Sequence, residues 1–153
     1  MAKFEINGMD EISASFEQLA NITAEDKMSV IMPAARLLLE KQKQKILQLF
    51  TQRTGDLANS LTIKENLDDD GPSAVIYLKG KHKGSGTGMR KRKDGRSNGK
   101  YSGTNAEVGY ILNYGSPRIA ATHWLDNANE EAEEEVVETM QAAWDDVLES
   151  KGL

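Results

Sequence analysis

Ile12, Phe16, Leu19 and Ile22 recur at three- and four-residue intervals, and Asp10 stands where a carboxylate caps the first turn of a helix. The pattern predicts a helix, led in by a short extended stretch at Ile6, Asn7 and Gly8. Thr23 and Asp26 have the spacing of a capping box, with Asp in place of the usual Glu. They open a second helical pattern through Met28, Ile31, Ala35, Leu38, Leu39, Gln42, Ile46 and Leu49. Pro33 falls inside it and lacks an N–H, so the helix either kinks or begins there. Lys41, Lys43 and Lys45 read as a solvated face. Gly55 suits the left-handed turn that ends a helix.

The pattern then shortens. Leu61, Thr62 and Ile63 predict one strand, and the apolar run Ala74, Val75, Ile76, Tyr77 and Leu78 a stronger one. Asp68, Asp69, Asp70, Gly71 and Pro72 have turn composition, so the two strands pair as a hairpin. Residues 80–105 are rich in Gly, Lys and Arg and nearly devoid of large apolar side chains. Such a segment cannot bury enough surface to offset its ordering entropy. It is expected to be a long loop insertion, flexible unless a partner orders it. Residues 106–115 read as either a short helix or a strand, and helix is preferred because Val108, Ile111 and Leu112 share a helical face. Thr122 is placed to cap a last helix from about His123 to Glu149, with the stripe Leu125, Ala128, Ala132, Val136, Met140, Trp144 and Leu148. Glu130, Glu131, Glu134, Glu135 and Glu138 lie off that stripe.

These elements predict an α+β fold over residues 1–153 as a single domain. It has two N-terminal helices, a small antiparallel sheet with a long basic loop insertion, and a long C-terminal helix. Phe16, Leu19, Leu38, Ile76, Trp124, Met140 and Trp144 are the expected core.

Composition narrows the function classes. The chain has 153 residues, 39% of them hydrophobic, which suits one domain of common size. No apolar run approaches the roughly 20 residues of a membrane span. The first residues carry no apolar export signal, so a cytoplasmic site of synthesis is expected. Cysteine is absent, which excludes disulfides and thiolate chemistry. His82 and His123 stand apart with no partner at ligand spacing. Gly84, Gly86 and Gly88 lead into Met89 and Arg90 rather than into a helix start, so no phosphate cradle is read there. The carboxylates of the last helix come from a single element, whereas acid–base or two-metal chemistry needs acids converging from several. No enzyme activity, cofactor or metal is expected.

Charge changes the picture more. The net charge of -5 conceals a basic stretch from Lys79 to Gly103, with nine cations and only Asp94 opposing them, and an acidic one from Asp126 to Glu149, with ten acids and no cation. Lys81, Lys83, Arg90, Lys91, Arg92, Lys93, Arg96 and Lys100 are therefore the candidate contact residues. Their chemistry suits either DNA phosphates, with release of counterions, or an acidic protein surface. Tyr101 alone is near enough to stack on a base, which disfavours single-strand recognition.

Four motifs, in order along the chain, add a family. Ile6, Asn7, Gly8, Met9, Asp10 and Glu11 form an apolar-Gly lead into a helix. Thr54, Gly55, Leu57, Ser60 and Leu61 form a Thr-Gly-x-Leu-x-x-Ser-apolar segment. The stretch from Ala106 to Tyr114, Gly115 and Ser116 is an Ala/Tyr-rich element ending in Gly-Ser. His123, Trp124, Leu125 and Ala128 open the last helix. Together these resemble the tail-completion, or head–tail joining, proteins of tailed bacteriophages, also described as neck or minor tail proteins. Asn113 departs from the family's acid before the aromatic-Gly pair, and His123 with Trp124 replaces its Pro-Phe. The resemblance covers nearly the whole chain except the basic insertion.

It implies a structural virion subunit, assembled in the bacterial host cytoplasm, that forms a ring with itself, a hexamer or dodecamer. The ring joins the capsid connector to the tail, beside neck, tail-terminator or tube proteins and around the channel for genomic DNA. It implies no enzyme, cofactor, metal or membrane. A tail-tube terminator of the same virion, or a sequence-neutral DNA-binding protein acting through the basic loop, are the alternatives.

Overall fold

The computed structural model describes residues 17, 19–50, 55–68, 71–81 and 104–152. Its elements are α1 (Ala24–Leu49), α2 (Gly55–Ser60), β1 (Leu61–Asp68), β2 (Gly71–Leu78), α3 (Asn105–Tyr114) and α4 (Trp124–Ser150). The fold is α+β, with one two-stranded antiparallel sheet among the described residues and a long C-terminal helix. Of the first expected helix only the last turn is described, where the Asn21 N–H donates to the Glu17 carbonyl at 3.2 Å. The rest of it, with Phe16, lies outside the described residues.

α1 starts on the capping box its sequence predicts. The Thr23 N–H donates to Asp26 Oδ2 at 2.8 Å, and the Asp26 N–H donates to Thr23 Oγ1 at 3.1 Å. Pro33 neither starts nor stops the helix, which runs for 26 residues through it. α4 lies antiparallel along α1. Lys151 meets Asp26 at 2.9 Å at one end, and Gln42 Nε2 donates to Asn129 Oδ1 at 2.8 Å toward the other. Small residues face each other in this interface, with Ala34, Ala35, Ala128 and Ala132 all buried.

The lysines of α1 are not simply solvated, as the sequence suggested. Lys41 pairs with Glu135 and Lys45 with Glu131, both across to α4, while Lys43 pairs with Glu40 in its own helix. The antiparallel packing brings Glu131 and Glu135 over a row of cations that periodicity alone leaves exposed.

Gly55 does not end α1 in a left-handed turn. α1 stops at Leu49, with Phe50 as its cap, and Gly55 begins the short α2. The hairpin is longer than expected. Eight pairs run from Leu61 opposite Leu78 to Asp68 opposite Gly71, so Asp68, Gly71 and Pro72 belong to strands rather than to the turn. Gly71 takes φ +115°, where a side chain would be strained.

Ile46, Leu57, Ala58, Leu61 and Trp124 form the core cluster, with Leu39, Phe50, Ile76, Leu78, Val108 and Leu112 packed around it. The core therefore sits on the C-terminal half of α1, where α2, the hairpin and α3 meet it. This corrects the expected core list. Trp124 is buried, but Leu38, Ile76 and Trp144 are only half-buried, and Leu19 and Met140 are exposed. α4 packs mainly on one neighbour, α1, and a single helix covers only part of its wide apolar stripe.

Candidate functional site

Of the predicted contact residues only Lys81 is described, and it is exposed. Lys83, Arg90, Lys91, Arg92, Lys93, Arg96 and Lys100 lie outside the described residues, as does most of the expected loop at 80–105. What the structure defines is where that segment leaves and returns. Lys81 forms an antiparallel bridge with Thr104. The Asn105 N–H donates to the Gly80 carbonyl at 3.0 Å, and Asn105 Nδ2 donates to the Lys79 carbonyl at 2.8 Å. The 22 residues from 82 to 103 thus depart and re-enter at adjacent points of the fold.

The return is fixed by a second capping box. The Thr104 N–H donates to Glu107 Oε2 at 2.8 Å, and the Glu107 N–H donates to Thr104 Oγ1 at 3.2 Å. Thr-x-x-Glu before an apolar face is a local signal legible in the sequence, and it marks this boundary. α3 then packs on Trp124 at Gly109. The indole Nε1–H donates to the Gly109 carbonyl at 3.1 Å, and a Cβ at position 109 would lie 2.2 Å from Leu78 Cδ1.

The start of α4 corrects the expected cap. Thr122 does not cap it, because its hydroxyl donates to the Leu112 carbonyl at 2.7 Å. His123 occupies the cap position with φ +49°, and its side chain makes no capping hydrogen bond. Instead Asn113, 1% exposed, reaches over from α3, and its Oδ1 accepts the Leu125 N–H at 2.9 Å. Its Nδ2 donates to Asp126 Oδ2 at 3.2 Å. No local pattern announces this bond, since its partners stand 12 and 13 residues apart.

The acidic helix divides into two sets. Glu131 and Glu135 are engaged by α1, whereas Glu130, Glu133, Glu134 and Glu138 make no ion pair among the described residues. Near them an open hollow of about 370 Å³ is lined by Leu38, Val136, Val137, Glu130 and Glu133. A second, more enclosed groove of about 340 Å³ runs between β2 and α3, over Trp124 and Leu125. Tyr110 and Tyr114 stand on its rim, exposed, with ring centroids 4.7 Å apart. Among the described residues no three His, Asp or Glu side chains converge as metal ligands, and no helix is long and apolar enough to cross a membrane. The chain matches no protein-family model, no curated protein and no solved structure.

Proposed function

We propose that this chain is a structural subunit of a tailed-bacteriophage virion, a ring-forming tail-completion or neck protein that joins the capsid connector to the tail. The observation that carries the reading is a set of charges on the last helix that stays unmatched among the described residues, on a chain whose sequence holds a strongly basic stretch. A strongly basic segment is rooted at Lys81 and Thr104, while Glu130, Glu133, Glu134 and Glu138 on α4 find no cation among the described residues. Opposite charges at different places on one subunit suit a heterologous contact, which repeats from copy to copy and closes into a ring. Exposed Val137 and Met140 on the same helix add apolar area that a neighbour would cover. Once a ring forms, each weak contact acts at high effective concentration.

The sequence resemblance supports the same reading. Three of its four motifs supply the central packing: Leu57 and Leu61 come from one, Gly109 and Asn113 from another, Trp124 and Leu125 from the third. In the proposed role the chain binds other virion proteins and performs no chemistry.

Replacing Arg90, Lys91, Arg92 and Lys93 with Ser tests the role. None of the four belongs to the core cluster, so the subunit is expected to stay folded while joining fails, and filled heads and separate tails accumulate. Normal yields of infectious tailed particles would overturn the assignment of function to the basic segment. The basic run also favours a second reading, contact with genomic DNA. On that reading, affinity of the isolated protein for duplex DNA falls steeply with salt.

A further inference from the structure

β2 leaves one edge of the hairpin with backbone groups unpaired. The Lys79 N–H donates to the Ser60 carbonyl at 2.9 Å, and hydrogen-bonded pairs alternate along an antiparallel ladder. Tyr77 and Val75 therefore bond to Thr62 and Lys64, whereas Ala74, Ile76 and Leu78 direct their N–H and C=O groups away from β1. The same phase carries on to Gly80, whose carbonyl accepts the Asn105 N–H at 3.0 Å. Toward the turn, Pro72 has no N–H to donate. From Ala74 to Leu78 no described residue bonds to the outward groups.

Another strand satisfies these groups, since extended backbone presents N–H and C=O at matching intervals. The groove between this edge and α3 restricts the strand's chemistry. Trp124, Leu125, Tyr110 and Tyr114 line it together with Ile76 and Leu78, and no charged residue does. A charged side chain there would lose water without gaining a counter-ion. Of the two described strands, β1 carries exposed Lys64 and Glu65, charges that discourage edge pairing. β2 has no charged residue from Gly71 to Leu78, and its Val75 and Tyr77 are exposed. The described strand that meets the demands of this edge is β2 itself.

We infer that the edge of β2 pairs with β2 of a second copy, antiparallel, joining two hairpins into one four-stranded sheet. Ala74 of each copy faces Ile76 of the other, and these pairs exchange N–H and C=O bonds. Val75 meets its own counterpart at the twofold axis, in a pair without hydrogen bonds, where Cα atoms stand about 4.5 Å apart. Pro72 and Ala74 of the second copy come opposite Leu78 and Ile76, so small uncharged side chains meet the groove. The contact is isologous, with the same patch on both copies. It uses none of the acidic face of α4, so it goes beyond the proposed ring contact and does not rest on it.

The chain has no cysteine, so a full-length Val75→Cys variant reports the contact directly. A Cα separation of about 4.5 Å lies within the range a disulfide spans, and air oxidation should link most of this variant into dimers. A Lys64→Cys chain, with its thiol on β1, should stay largely unlinked. A monomeric Val75→Cys chain overturns the inference, and so does equal linking of the two variants. The Val75→Cys dimer should still form when Glu130→Gln, Glu133→Gln, Glu134→Gln and Glu138→Gln are added, and its loss there overturns the assignment to β2. Amide exchange gives a second readout in a full-length Val75→Lys chain, whose charge at the twofold axis opposes pairing. Ala74 and Ile76 should exchange about tenfold faster in that variant than in the native chain, while Tyr77, bonded to β1, stays protected in both. Equal rates at Ala74 and Ile76 overturn the inference.

Discussion

Asn113 on α3 caps α4 across space, accepting the Leu125 N–H at 2.9 Å through Oδ1 while Nδ2 donates to Asp126 at 3.2 Å. One amide thereby serves as acceptor for a helix terminus and as donor to the carboxylate beside it. An acid at the same position would keep the first bond, lose the second, and oppose Asp126. Asn113→Ala should cost about 1–3 kcal/mol, because a helix donor loses its partner in a buried site. Asn113→Asp should also destabilise, and Asn113→Asp with Asp126→Asn should recover most of the loss by reversing the second bond. Denaturant unfolding of the three variants checks this, and no rescue by the double variant would mean that the Asn113–Asp126 bond contributes nothing.

Trp124 rather than Trp144 anchors the last helix. Trp124 is 2% exposed and donates to the Gly109 carbonyl, whereas Trp144 is half-buried. Trp124→Ala should destabilise by about 3–5 kcal/mol, and Trp144→Ala by roughly 1–2 kcal/mol. Equal losses in urea titrations would place the helix's main anchor elsewhere.

Two glycines should respond differently to Ala. At Gly115, φ is +82° and a Cβ would lie 2.8 Å from the Ala121 nitrogen and 2.9 Å from the Ile119 oxygen, both backbone atoms. At Gly109 the close atom is the end of the Leu78 side chain, which can swing aside. Gly115→Ala should therefore cost about 1–3 kcal/mol or more, and Gly109→Ala less. The Gly109 penalty should shrink further in a Leu78→Ala background, as thermal melts of the single and double variants would record.

Asp26 should govern part of the acid sensitivity. The Thr23 backbone N–H, then Lys151 and the Thr23 hydroxyl, lower its pKa to about 2 from the ordinary 3.8. A depressed carboxyl contributes stability that is full above its unfolded pKa and is lost as pH falls through the folded value. The melting temperature of the native chain should exceed that of Asp26→Asn above about pH 4, and the gap should close toward about pH 2. A gap independent of pH across that window would show that the charge is not what matters.

Much of the fold was legible in the sequence because its signals are local. The Thr23 and Asp26 capping box, the helical spacing in α1 and α4, and the strand at Ala74 to Leu78 each rest on residues within a few positions of one another. Backbone geometry converts that spacing directly into helix or strand, so the α+β class follows without tertiary knowledge. The charge contrast between the basic and acidic stretches was equally plain.

Other features depended on which faces meet. Periodicity shows that an apolar stripe exists but not how much of it a neighbour covers, so Met140 and Leu19 were expected inside and stand exposed. Lys41 and Lys45 read as solvated until antiparallel packing set Glu135 and Glu131 against them. Thr122 was the obvious local cap for α4, yet its hydroxyl serves Leu112 while the cap comes from Asn113 on another helix. The free edge of β2 and the groove beside it exist only once the hairpin register and the seating of α3 are known. Short-range sterics and hydrogen bonds wrote the elements into the sequence, whereas partners distant along the chain are chosen by packing, and only the tertiary structure decided them.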